Sequence, residues 1–149
     1  MGKCFIFTRQ QLVVVCLGMC LLFAPSLSNA KKLTTKICEK ALDCLVDGMV
    51  ATISPCKVTE VAACAVFSNL SNQSNYTQYI KHNFACWLVE KAFVVAMGGG
   101  DPANLFLATF VDTAIQNAMG KVDCATATKQ VDVCTIMEEQ LHDVVDTTC

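Results

Sequence analysis

Eight cysteines are spread through residues 38–149: Cys38, Cys44, Cys56, Cys64, Cys86, Cys124, Cys134 and Cys149. None of them forms the C-x2-C pair of a structural zinc site, and an even number in a secreted chain reads as a disulfide framework. Four disulfides are therefore expected, and no metal. Eight cysteines allow roughly a hundred pairings, and the sequence alone does not choose among them. A chain crosslinked this often must bring distant segments within side-chain reach.

The compartment that permits those bonds is written at the start of the chain. Lys3 and Arg9 precede an apolar run from Leu12 to Ala24, and Ser28-Asn29-Ala30 ends in a small residue. This is the order of a secretory signal peptide: charge, apolar core, small-residue cleavage site. The run falls short of the roughly 20 apolar residues of a membrane span, and Pro25 follows it. The expectation is a leader over residues 1–30, removed after Ala30. Residues 31–149 are then expected to form a single disulfide-rich helical domain, secreted and extracellular, without a transmembrane anchor. Cys4, Cys16 and Cys20 leave with the leader, which takes the eleven cysteines to eight.

Lys3 and Arg9 leave as well, and Arg9 is the sole arginine. The remaining lysines are outnumbered by 13 acidic residues. A mildly acidic chain without arginine has neither the bidentate phosphate ligands nor the basic face that nucleic acids and anionic lipid surfaces require. No nucleic-acid partner is expected.

Apolar spacing points to an all-α fold, a small disulfide-stapled bundle of about five helices. Leu33, Ile37, Ala41, Cys44, Leu45 and Gly48 recur at three- and four-residue steps, predicting a first helix over Lys31–Met49. Ser54 and Pro55 suit the start of a second, with Val58, Val61, Ala62, Ala65 and Val66 as its inner stripe. Ser74 or Asn75 can cap a third, with Gln78 as the capping-box partner. Two strongly apolar segments then flank Gly98-Gly99-Gly100-Asp101-Pro102 and form a central apolar helical hairpin. Gly98 serves as a left-handed stop, Asp101 as the next cap and Pro102 as a first-turn residue. Glu90-Lys91 marks its wet edge. Asp123 caps a fifth helix with the inner stripe Val131, Cys134, Met137, Leu141, Val144 and Val145. No convincing strand is expected.

Asn69-Leu70-Ser71, Asn72-Gln73-Ser74 and Asn75-Tyr76-Thr77 are three consecutive N-glycosylation sequons. One sequon is weak information; three in a polar stretch behind a leader mark a solvent-facing segment that can carry glycan on Asn69, Asn72 or Asn75.

Catalytic patterns are missing. The two histidines, His82 and His142, belong to no H-E-x-x-H, G-x-S-x-G or phosphate-loop arrangement, and the triple glycine lacks the strand and lysine of a phosphate cradle. His82 and Cys86 are neighbours at a four-residue step, but an even cysteine count leaves no free thiol. The chain is expected not to be an enzyme and to need no cofactor. The cysteine order also matches neither the odorant-binding pattern, which has a pair separated by three residues, nor the saposin pattern, with which Cys38-x5-Cys44 and the lone Cys149 disagree.

Non-catalytic binding remains. The favoured expectation is a carrier in which Phe84, Trp87, Leu88, Phe93, Leu105, Phe106, Phe110 and Ile115 line a site for a lipid or other hydrophobic small molecule between helices. The alternative is a secreted glycoprotein acting as a signal, effector or structural component through protein contacts, with a homodimer as one route to covering its apolar surface.

Overall fold

A computed structural model describes residues 27–149, with side-chain surroundings from Thr34 onward. Residues 1–26, most of the expected leader, lie outside the described residues. The elements run α1 (Leu27–Ala51), β1 (Lys57–Thr59), α2 (Glu60–Ser71), α3 (Thr77–Ile80), α4 (Phe84–Ala96), α5 (Gly100–Met119), β2 (Gln130–Asp132) and α6 (Val133–Thr148). The fold is a small disulfide-stapled all-α domain with one minimal sheet.

Its core is the meeting of α1, α2, α5 and α6. Helix α1 contributes Ala41, Leu42, Leu45, Val46 and Met49, all fully buried at the expected helical spacing. Helix α5 contributes Ala103, Leu107, Phe110, Val111, Ala114, Ile115 and Ala118. Helix α6 adds Val133, Cys134, Met137, Leu141, Val144 and Val145, which is the expected stripe with Val133 taking the fully buried place given to Val131. Burying an aliphatic side chain of this size contributes about 1.5–3 kcal/mol, so these stripes, rather than helix propensity, hold the elements in place.

The four disulfides are Cys38–Cys149, Cys44–Cys86, Cys56–Cys134 and Cys64–Cys124. They tie α1 to the last residue, α1 to α4, the segment before β1 to α6, and α2 to the loop before β2.

Several boundaries differ from the sequence expectations. Residues 57–59 are not the start of a helix but a strand, antiparallel to β2 with Val58 opposite Val131. The pairing continues as Glu60 N–H donates to the Lys129 carbonyl (3.0 Å) and Val61 N–H to the Thr126 carbonyl (3.1 Å). Helix α2 therefore begins five residues past Pro55, capped by Thr59, whose hydroxyl accepts from Ala62 N–H at 3.3 Å. That shift turns the helix. Ala63, Cys64, Phe67 and Leu70 face inward, and Val61 is exposed instead of buried.

The third expected helix is two. Asn75 does not cap it; its side-chain oxygen accepts from the Thr77 amide and hydroxyl in a local turn. The chain breaks after Ile80, and Asn83 caps α4 by accepting from Cys86 N–H at 2.8 Å. Gly48 explains why α3 sits where it does. A Cβ there would collide with the Tyr79 carbonyl, so α1 and α3 cross in backbone contact that a side chain would forbid.

At the glycine turn, Gly98 is left-handed (φ 85°) as expected, and the amides of Gly98 and Gly99 donate to the Val95 and Val94 carbonyls. These two bonds form a Schellman stop. The next helix begins at Gly100, ahead of Asp101, so Asp101 contributes its charge to the first turn rather than a cap. The chain bends by 107° between α4 and α5. The hairpin is thus splayed, with α5 in the core and α4 laid over α1.

Asp132, not Asp123, caps α6, accepting from Thr135 N–H at 3.1 Å. Asp123 instead folds its own loop. It accepts from Ala125 N–H (3.0 Å) and the Thr126 hydroxyl (2.8 Å), and these bonds hold its carboxyl below the usual carboxylate range. Glu90 is not a wet edge either. Its side chain is buried, 3.6 Å from Lys81 Nζ and 3.9 Å from Lys91 Nζ. The break before α4 is what brings Lys81 to it, and a buried carboxylate without such partners would be costly.

Candidate functional site

An apolar groove runs along α5. Its larger part, about 530 Å³, runs between α5 (Pro102, Leu105, Phe106, Thr109, Phe110, Thr113) and the end of α6 (Val144, Thr147, Thr148). A smaller part of about 300 Å³ continues from Phe106 and Thr148 towards Phe93, Ala96 and Met97, with Ile37 and the Cys38–Cys149 bond as its far wall. Volumes of this order suit a small molecule. Phe93 and Phe106 meet at 5.6 Å between ring centroids where the two parts join.

None of the lining side chains is charged. The polar groups of the larger part are threonine hydroxyls, and their hydrogens are already committed. Thr109 donates to the Leu105 carbonyl (3.0 Å), Thr113 to Thr109 (3.0 Å), and Thr147 and Thr148 both to Val144 (3.0 and 2.7 Å). Each hydroxyl oxygen keeps lone pairs, so this stretch offers acceptors in an apolar setting and no cation.

Of the eight residues singled out from the sequence, Phe93, Leu105, Phe106 and Phe110 line this groove. Phe93 and Phe110 are buried beneath it, and Leu105 is 69% exposed at its rim. The other four stand elsewhere. Ile115 is buried further along α5. Phe84 is 68% exposed and stacks on Trp87 at 5.7 Å, with Lys91 Nζ 5.8 Å from the indole centroid. Leu88 is half-buried on α4.

The sequence reading missed the α6 side of the groove. Thr147 and Thr148 follow a regular apolar stripe and resemble any helix end; only the fold of α6 against α5 gives them a role. It also missed Asn104, whose Oδ1 accepts from Tyr76 N–H at 2.6 Å while its Nδ2 donates to the Ser74 carbonyl at 2.7 Å. This clamp fixes the sequon loop to α5. Asn69, Asn72 and Asn75 are all exposed around that loop.

Other clusters offer less chemistry. Cys56, Asp132 and Cys134 lie together, but the two sulfurs are bonded to each other and are not thiolate ligands. Cys86 is bonded to Cys44, with His82 beside it. His142 Nδ1 lies 3.6 Å from Asp43 Oδ1 on the surface. No single helix among the described residues is long and apolar enough to cross a membrane.

No protein-family model, curated protein or solved structure matches this chain.

Proposed function

We propose that this chain is a secreted, non-catalytic binding protein whose groove between α5 and α6 receives an uncharged amphiphile, one with a hydrocarbon body and a hydroxyl. The observation that carries the reading is the groove's lining: aromatic and aliphatic walls, threonine acceptors, no charged side chain and no cation. A neutral hydroxyl can donate to those oxygens, whereas a carboxylate or phosphate would be desolvated there without a cation. The four disulfides and the sequon loop support an extracellular setting, with glycan carried on Asn69, Asn72 or Asn75.

Native mass spectrometry of the secreted, deglycosylated protein tests this, before and after solvent extraction and after re-addition of a long-chain alcohol, a sterol or a fatty acid. A one-to-one complex with a neutral alcohol, weaker with the acid and lost in Leu105→Glu, is the expected result. Absence of binding to all three refutes the carrier reading.

Val95 and Leu105, 72% and 69% exposed, favour a second reading in which the same end of the molecule is covered by a protein partner or a second copy. A concentration-dependent dimer without bound ligand, disrupted by Leu105→Glu, would favour it.

A further inference from the structure

The Cys44–Cys86 disulfide differs from the other three in what stands beside it. His82 Nδ1 lies 2.8 Å from the Tyr79 carbonyl oxygen, an acceptor only, so Nδ1 carries the proton. Nε2, the basic nitrogen of that tautomer, is then left facing Cys86 Sγ at 3.9 Å. The ring is held there from a second side. A Cβ on Gly48 would lie 3.1 Å from His82 Nδ1, so the imidazole rests on the bare backbone of α1, one turn beyond Cys44. Cys86 also sits in the first turn of α4, where its own N–H is held by the Asn83 cap. A thiolate there is favoured by the helix end and by an adjacent imidazolium. Access is uneven in the useful sense: Cys44 is half-buried, and Cys86 is 5% exposed.

We propose that Cys44–Cys86 is a thiol-exchange site, at which an external monothiol attacks Cys44 and Cys86 departs as a thiolate paired with His82. The attacking thiol sheds its proton to water, which protonates His82 Nε2 in turn, and its sulfur bonds to Cys44 Sγ in line with the Cys44–Cys86 bond. The sulfur–sulfur bond breaks, and its electron pair passes to Cys86 Sγ. A second thiol attacks the external sulfur of that mixed disulfide, and the bond to Cys44 Sγ breaks with its electron pair passing to Cys44. Cys44 takes up the second thiol's proton while Cys86 takes one from His82. Two thiols thus become one external disulfide, and Cys44 and Cys86 end as reduced cysteines. A leaving sulfur whose negative charge is paired with an imidazolium departs faster, which is the advantage His82 confers. The product keeps three disulfides and frees the start of α4 from α1.

The test is limited reduction of the native secreted protein with reduced glutathione, followed by alkylation and peptide mass spectrometry. Cys44 and Cys86 are expected to label first, about tenfold ahead of any other pair, with trapped glutathione on Cys44 rather than Cys86. His82→Gln should slow this pair severalfold and leave the rest unchanged. Simple access predicts a different order, because Cys124 is exposed in the loop before β2 and Cys64–Cys124 would then open first. That order, simultaneous opening of all four, or an unchanged rate in His82→Gln each overturns the proposal. Since His82 is exposed, the variant's fold is checked independently by its far-ultraviolet dichroism.

Discussion

Helices α4 and α5 are both strongly apolar and are separated by a single glycine turn, yet they are held in different ways. Seven side chains of α5 are buried in a regular stripe, enclosed by α2 on one side and α6 on another. Only Cys86, Glu90 and Phe93 of α4 are buried, and one of these is a carboxylate. Much of α4's apolar surface is half-covered, and Phe84 and Val95 stand in solvent. Apolar content alone therefore does not bury a helix; neighbours on two sides do. Helix α5 is held by packing. Helix α4 lies against α1 and is tied to it by one crosslink, Cys44–Cys86, while its buried Glu90 pairs with Lys81 just before the helix.

The largest effect that would separate the two cases is a hole in α5. Leu107→Ala removes most of a fully buried side chain and should cost about 2–5 kcal/mol in denaturant unfolding. Leu88→Ala on α4, only half-buried, should cost much less. Equal losses would remove the distinction.

Next is the tether. Replacing Cys44 and Cys86 together with alanine should lower stability by about 3–4 kcal/mol on the chain-entropy argument. Hydrogen exchange should then quicken in α4 while α5 stays protected. Uniform loss of protection would mean that α4 and α5 form one cooperative unit.

Tyr76 tests the join between the sequon loop and α5. Its hydroxyl donates to the carbonyl region of Leu70 and Ser71 (3.0 and 3.1 Å), so Tyr76→Phe should cost about 1 kcal/mol. Burial first, then the charge of Asp112 and the nearby Tyr79, push the phenol up to about 12 from its ordinary 10.0. The folded state thus favours the protonated form. Its contribution is complete below pH 10.0 and declines as pH rises towards about 12. Alkaline unfolding of the wild type should show this loss, and Tyr76→Phe should flatten it.

The smallest effect belongs to the exposed rim. Val95→Ser and Leu105→Ser should change stability by less than about 0.5 kcal/mol. If either residue contacts a ligand or partner, binding should fall while melting temperature does not.

These contrasts also explain how much of the molecule is legible from sequence. The α6 stripe is legible because its apolar residues keep one period and its surroundings are simple. Four disulfides follow from cysteine number and the expected leader, but their partners depend on which helices cross, which no local pattern records. The caps expected at Asn75 and Asp123 lie elsewhere because a second residue able to do the same work follows each, Asn83 and Asp132, whereas α5 starts one residue ahead of Asp101, after Gly99, with no side-chain cap. Which one wins depends on long-range contacts. The three-residue strands exist only through each other, so β1 and β2 carry too little local signal to be seen alone. Gly48 reads as one more small residue on an apolar face; its role appears only when the Tyr79 carbonyl is placed against it. Half of the aromatic and aliphatic residues expected at a ligand reach the groove, because apolarity marks candidates and the 107° bend sorts them.

The Cys38–Cys149 bond closes nearly the whole domain into one covalent ring. A single backbone cut anywhere between those residues, the exposed sequon loop included, leaves both pieces joined. A protease that nicks the molecule once adds a water and opens a peptide bond, but releases nothing. The damage would be visible on a gel only after reduction, and the product would persist as a two-chain form of the same protein.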